Sequence, residues 1–380
     1  IRSAVDTLKE KKGSAAVLRK LNYIVSRCET ADNLEYVLDN IDSGNSVVLM
    51  QLYISYLQYE YERKARVFSY VKYNMNKTHR ETEKETAKRR SLLSHEKVEV
   101  IKNRIEDNLK RNLKGRLGRV YIDPNMSNYA MPVRESAGAA GFGVLPRGSR
   151  KHIDNLHKIR GFTYWEQVDD IDLSVIGMDE CGRQTEFSWR TMNESNSDAI
   201  VYSGDETSGY YGGSEYFDVD LDEFKKLYPD LRYLIFCDNV YSRKLFANCL
   251  CKAGYMLRDK EDSGEVFEPK TVESSFIVNC SSTFCYLFAI DLMKDDFVWL
   301  NTMQDSIAPV AGDTQLEFLI KTINITDIFN IRSFFEMAAT EVVSDIAQAD
   351  VIVTDKIIDA PEGVQTIREY DIEKIIALMQ

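Results

Sequence analysis

Histidine is scarce in this chain: His79, His95, His152 and His157 are the four in 380 residues. None stands in a His-Glu-x-x-His arrangement, and no serine or cysteine lies in a recognisable nucleophile word, so the sequence points to no hydrolytic chemistry. His152 and His157 lie five apart beside Lys151 and Lys158, where solvation is the expected state. Acid pairs such as Asp295-Asp296 mark no pocket, and the chain is expected not to be an enzyme. No apolar run approaches the roughly 18 residues that a membrane-spanning helix needs. No basic-then-apolar leader opens the chain; it begins at Ile1, and residues are expected to precede it. The seven cysteines are odd in number and irregular in spacing, and they read as reduced core thiols of a cytoplasmic protein. Cys249-Leu250-Cys251 lacks the second pair that a zinc site requires. Gly138, Gly141 and Gly143 have no Gly-Lys-Ser/Thr after them and no strand before them, which argues against a phosphate loop.

What is present divides by texture and charge. Hydrophobic content of 44% with 28% charged residues is ordinary for globular chains, and the length suits two or three domains. The net charge of −12 conceals two opposite regions. Residues 61–120 carry 18 Lys/Arg against 8 Asp/Glu, and residues 161–240 carry 5 against 18. Leu18, Leu21, Val25 and Cys28, then Leu49, Leu52, Tyr56 and Tyr59, then Val98, Ile101, Ile105, Leu109 and Leu113 follow the helical period, so residues 1–118 are expected to be all-helical. The polar stretch from Thr78 to Arg90 reads as a connector. Its basic residues, with Lys102, Arg104, Lys110 and Arg111 beyond, lack interleaved aromatics; an acid-facing or solvated helix is preferred over a nucleic-acid arm at 61–120.

Residues 119–158 turn to Pro, Gly and Ser with short apolar words and read as an extended linker. From 159 to 305 the apolar period becomes two: Ile171, Leu173 and Val175 alternate with Asp170, Asp172 and Ser174, and Phe217, Val219 and Leu221 with Asp218, Asp220 and Asp222. Many short strands imply an antiparallel β-sandwich. Residues 306–380 read as a small α/β appendix docked on it. The expected architecture is therefore α+β and multidomain, and a site between sandwich and appendix is where an enzyme would place its chemistry.

Two acidic words stand out: Asp169-Asp170-Ile171-Asp172-Leu173-Ser174, and Ser203-Gly204-Asp205-Glu206-Thr207 continuing through Gly212-Gly213-Ser214-Glu215. Calcium takes about six to eight oxygen ligands, which carboxylates and carbonyls of a glycine-bent loop supply. These words resemble the TerD family of bacterial tellurite-resistance proteins over residues 159–305. A narrower likeness, through Val120-Tyr121-Ile122-Asp123-Pro124, Arg147-Gly148-Ser149 and Glu265-Val266-Phe267-Glu268-Pro269, extends to larger bacterial proteins with a helical region before such a module. The resemblance implies calcium held by Asp170 and Asp172 on a first strand, by Asp205 and Glu206 at the loop's opening, by Glu215 at its close and by Asp238 after a later strand. It also implies a non-enzymatic scaffold with protein partners in a stress-response complex. The chain departs from the family at Gly209-Tyr210-Tyr211-Gly212-Gly213-Ser214, where further acids are usual, so weaker binding or fewer ions are expected.

Overall fold

The computed structural model describes residues 1–42, 44–59, 67–72, 75–80, 93–132, 145–180, 183–192, 199–242, 244–258, 272–304 and 316–380. Cys181, Lys88-Arg89-Arg90, the glycines at 138, 141 and 143, and the words at 265–271 lie outside them. Helices Arg2–Lys12, Ser14–Arg19, Leu21–Val25, Ala31–Leu38 and Ser46–Leu57 come first, followed by strands β1 (Val67–Lys72) and β2 (Met75–Arg80). Helix His95–Leu113 leads to β3 (Leu117–Ile122). Then come β4 (Arg150–His152), β5 (Lys158–Glu166), β6 (Ile171–Met178), β7 (Gln184–Phe187), β8 (Ile200–Tyr202) and β9 (Gly213–Asp220). Helix Leu221–Leu227 precedes β10 (Tyr233–Val240), β11 (Leu250–Leu257), β12 (Val272–Ile277), β13 (Phe284–Asp291) and β14 (Asp296–Gln304). Helices Leu316–Ile323, Ile325–Ile328 and Ile331–Ala338 lead to β15 (Ala339–Val343), β16 (Val351–Val353) and β17 (Gln365–Ile367), and Ile372–Ala377 is a closing helix.

The fold is mixed α and β with mostly antiparallel sheets, and it divides into two compact units: 1–66, 80–134 and 326–380 form one, and 67–79 with 135–325 the other. This differs from the four-part division expected from the sequence. Residues 1–118 are not all-helical, because β1, β2 and the start of β3 fall among them. Thr78 to Arg80 belong to β2 and not to a connector. The expected linker holds β3 and β4. The expected appendix is split: β15 and β16 flank β3 in a parallel four-stranded sheet of order β15-β3-β16-β17, so its last strands complete the first unit's sheet. Local pattern does not reveal such pairing, since partners more than 200 residues apart leave no trace in a short window.

In the first unit the long helix forms for reasons readable residue by residue. Ser94 caps it by accepting Lys97 N–H at 3.4 Å, Glu96 lies in the first turn, and Lys110 and Arg111 in the last complement the helix dipole. Val98, Ile101, Ile105, Leu109 and Leu113 are its buried stripe. Gly115, at φ 84°, releases the chain just beyond its end.

The second unit is built on two antiparallel sheets, β4-β14-β13-β10-β6-β7 and β12-β11-β5-β9-β8. One apolar cluster draws on both: Ile171, Leu173, Val175, Leu234, Phe236 and Phe288 from the first, Ile159, Phe217, Val219, Ala253 and Tyr255 from the second. Gly161 makes room for this, because a Cβ there would collide with the Phe236 ring across the core. The other face of the six-stranded sheet is also covered: Ile176, Tyr233, Ile235 and Tyr286 pack with Leu319 and Ile323 of helix Leu316–Ile323. This is why β6, β10 and β13 are buried along their whole length. The alternation expected through Asp222 stops earlier, since Asp220 accepts Glu223 N–H at 3.0 Å and caps a helix at Leu221.

Candidate metal centre

Asp170 precedes β6, and Glu215 lies within β9, so the first carboxylate belongs to the six-stranded sheet and the second to the five-stranded one. β7 pairs with β6 only from Val175 onward, so among the described residues the edge of residues 171–174 has no strand partner on that side. Glu215 occupies this gap: its Oε2 accepts Leu173 N–H at 2.8 Å and its Oε1 accepts Glu206 N–H at 3.2 Å. One buried carboxylate thus satisfies a sheet edge and the acidic loop together.

The loop is held over β6 by its own backbone. Gly209 N–H donates to Asp169 O at 2.7 Å, Gln167 N–H to Tyr210 O at 2.8 Å, and Gly204 takes a φ of 100° beside Asp205. Gly209 and Gly213 bracket the buried Trp165 indole; a Cβ at either would come within 2.5 Å of it. The glycines of this stretch therefore serve packing against Trp165 as well as turning the chain.

Asp170, Asp205 and Glu215 converge, each offering a carboxylate oxygen within 4.8 Å of the others. Two ligands on opposite sides of a calcium ion at about 2.4 Å are separated by about that distance, so one hard cation can touch all three. Asp170 is 9% exposed and its Oδ1 is buried with no hydrogen-bond partner. Burial raises Asp170 to about 7, reinforced by the charges of Asp172 and Asp205. Burial likewise raises Glu215 to about 9. Burial thus favours the protonated form of both Asp170 and Glu215.

The other three expected ligands have different surroundings. Asp172, 3% exposed, accepts Asn239 Nδ2 at 3.0 Å across the β6–β10 pair; burial raises its pKa, and its charge bears on Asp170. Glu206 accepts Ser208 N–H at 2.7 Å and stiffens the loop. Asp238 is fully buried and is not part of the trio: its Oδ2 accepts Thr163 Oγ1 at 2.9 Å and contacts Cys251 Sγ at 3.6 Å. Side chains alternate along β10, and Asp238 shares the face of Leu234 and Phe236 that enters the inter-sheet core. Leu173, Asn239 and Trp165 shape the site and were not expected from sequence; only the placement of Asn239 directly opposite Asp172, known once the register is known, singles it out.

No protein-family model, curated protein or solved structure matches this chain.

Proposed function

We propose that the second unit is a TerD-like β-sandwich that binds calcium, and that the chain works as a non-enzymatic scaffold with protein partners in a bacterial cytoplasmic stress-response system. The observation that carries the metal reading is the convergence of Asp170, Asp205 and Glu215 around a buried Asp170 oxygen that nothing else satisfies. Three carboxylates leave several positions of a calcium sphere to carbonyls and water, in keeping with a loop poorer in acids than the family's. The shared apolar cluster of the two sheets supports the sandwich reading. The scaffold role rests on the sequence resemblance alone.

A cation that binds only the folded state adds RT ln(1 + [L]/Kd), about 2.7 kcal/mol at a hundredfold excess over Kd. Calcium should therefore raise the melting temperature of the metal-free protein, and magnesium should do so less because it holds its waters and demands octahedral geometry. Isothermal titration with calcium, repeated on Asp170→Asn, tests the reading. Heat of binding in the wild type that is lost in the variant supports it; no binding by the wild type at millimolar calcium sinks it.

Against a nucleic-acid arm, several basic residues of the long helix already have acidic partners: Arg104 pairs with Glu35, Asp39 and Asp42, Arg111 with Asp42, and Lys110 with Glu106.

A further inference from the structure

The first unit holds a second constellation, at the carboxyl end of its parallel sheet. From β3 the chain next contributes β15 on one side of β3, then β16 on the other, then β17 beyond. The strand order therefore reverses about β3, and in open parallel sheets ligands bind outside the carboxyl ends of the strands at such a switch point. Asp123 directly follows β3; Thr354, Asp355 and Lys356 directly follow β16; Arg368 and Glu369 directly follow β17.

These residues are locked together. Asp123, 3% exposed, accepts Thr354 Oγ1 at 3.3 Å and Lys356 Nζ at 2.9 Å through Oδ2, and Asn125 N–H at 3.1 Å through Oδ1. Asp355 accepts Tyr129 Oη at 3.1 Å and Asn125 Nδ2 at 3.3 Å, both through Oδ2. Its Oδ1 is buried and has no partner. Arg368 donates to the Asp355 carbonyl at 2.6 Å and pairs with Glu369 at 3.3 Å. Asp123, Asp355 and Glu369 thus gather with Lys356 and Arg368 at this end of the sheet, and one oxygen of Asp355 is left unsatisfied.

We infer that this end of the sheet binds a magnesium-type divalent cation together with the phosphate group of a small ligand. Magnesium is bound through one or two carboxylates with the rest of its octahedron left to water and ligand phosphate, and Asp355 Oδ1 with Asp123 supplies the carboxylates. With the cation bound, the site's charge changes from net negative to net positive, and Lys356 and Arg368 face the incoming anion. Lys356 has a double role: its ammonium now neutralises Asp123 and swings to the phosphate once metal replaces it. The site is independent of Asp170, Asp205 and Glu215, which belong to the other unit.

The test counts manganese, a paramagnetic stand-in for magnesium, on the full chain by electron paramagnetic resonance, and measures inorganic pyrophosphate binding with magnesium present. Asp170→Asn should keep a manganese site that Asp355→Asn loses, with far-UV circular dichroism showing the Asp355→Asn chain folded. Lys356→Gln should bind manganese several-fold more tightly, since no ammonium competes for Asp123, and pyrophosphate about tenfold more weakly. Tighter metal alongside weaker anion is not what a merely structural lysine would give. Manganese binding that disappears with Asp170→Asn and is untouched by Asp355→Asn overturns the inference and leaves the calcium reading standing. Should Asp355→Asn unfold, equal manganese affinity in Lys356→Gln and wild type overturns it. Pyrophosphate binding that does not depend on magnesium overturns the coupling of the two ligands.

Discussion

Asp170 and Glu215 are acids whose pKa values burial raises, to about 7 and about 9. A group that binds its proton more tightly folded than unfolded stabilises the fold while protonated, and that contribution is lost as pH climbs through the folded value. The metal-free protein should therefore melt at a lower temperature at about pH 9 than at about pH 6. Asp238, raised to about 7 by burial, acts in the same direction. Calcium should close most of that gap, because the cation takes over the charge that the protons neutralised. Asp170→Asn should flatten the pH dependence and remove the calcium response together, as differential scanning calorimetry across the pH range would register. A variant that still gains stability from calcium would transfer the ion to other ligands. At this scale the sequence was informative about type and weak about grouping. The words around 170, 205 and 215 are acidic in any reading, but only the cross-sheet approach of β6 and β9 separates the converging trio from Asp172, Glu206 and Asp238.

Elements show the same division between local chemistry and pairing. Helix His95–Leu113 was legible because cap, apolar stripe and terminal charges all lie within its own 20 residues, and Ser94→Ala should cost about 1 kcal/mol, read from urea unfolding of the first unit. Two strands of the second unit, β6 and β9, were legible from alternation, with bounds shifted by a few residues. What alternation could not convey is that β6, β10 and β13 are covered on both faces, because helix Leu316–Ile323 lies on the side away from the other sheet. Gly161 is the corresponding case for a single position. Its φ is ordinary, so no turn calls for glycine, and its need is set wholly by Phe236 in the facing sheet. Gly161→Ala should destabilise the second unit by about 1–3 kcal/mol through overpacking. Trimming the opposing ring in Gly161→Ala/Phe236→Leu should recover part of that loss; an unchanged unfolding midpoint in the single variant would mean the sheets separate at no cost.

For the whole molecule, the decisive feature is that residues 135–325 are inserted between β3 and the strands that pair with it. A chain ending at residue 325 keeps β3 but deprives it of β15 and β16. Hydrogen exchange should then find the amides of Val120 to Ile122 unprotected, with those of β10 and β13 still slow; persistent protection at 120–122 would contradict the parallel pairing as the source of their order. No helix among the described residues is long and apolar enough to cross a membrane. The sequence by itself determined the helical start, the short alternating strands, the acidic words and the opposing charges of the two regions, because each is encoded within a few residues by period, capping and residue type. The tertiary structure alone decided which acids converge, that the supposed linker and appendix form one parallel sheet, and that this sheet's carboxyl ends gather Asp123, Asp355 and Glu369, since all three depend on contacts between residues far apart in the chain, whose register local physics leaves open.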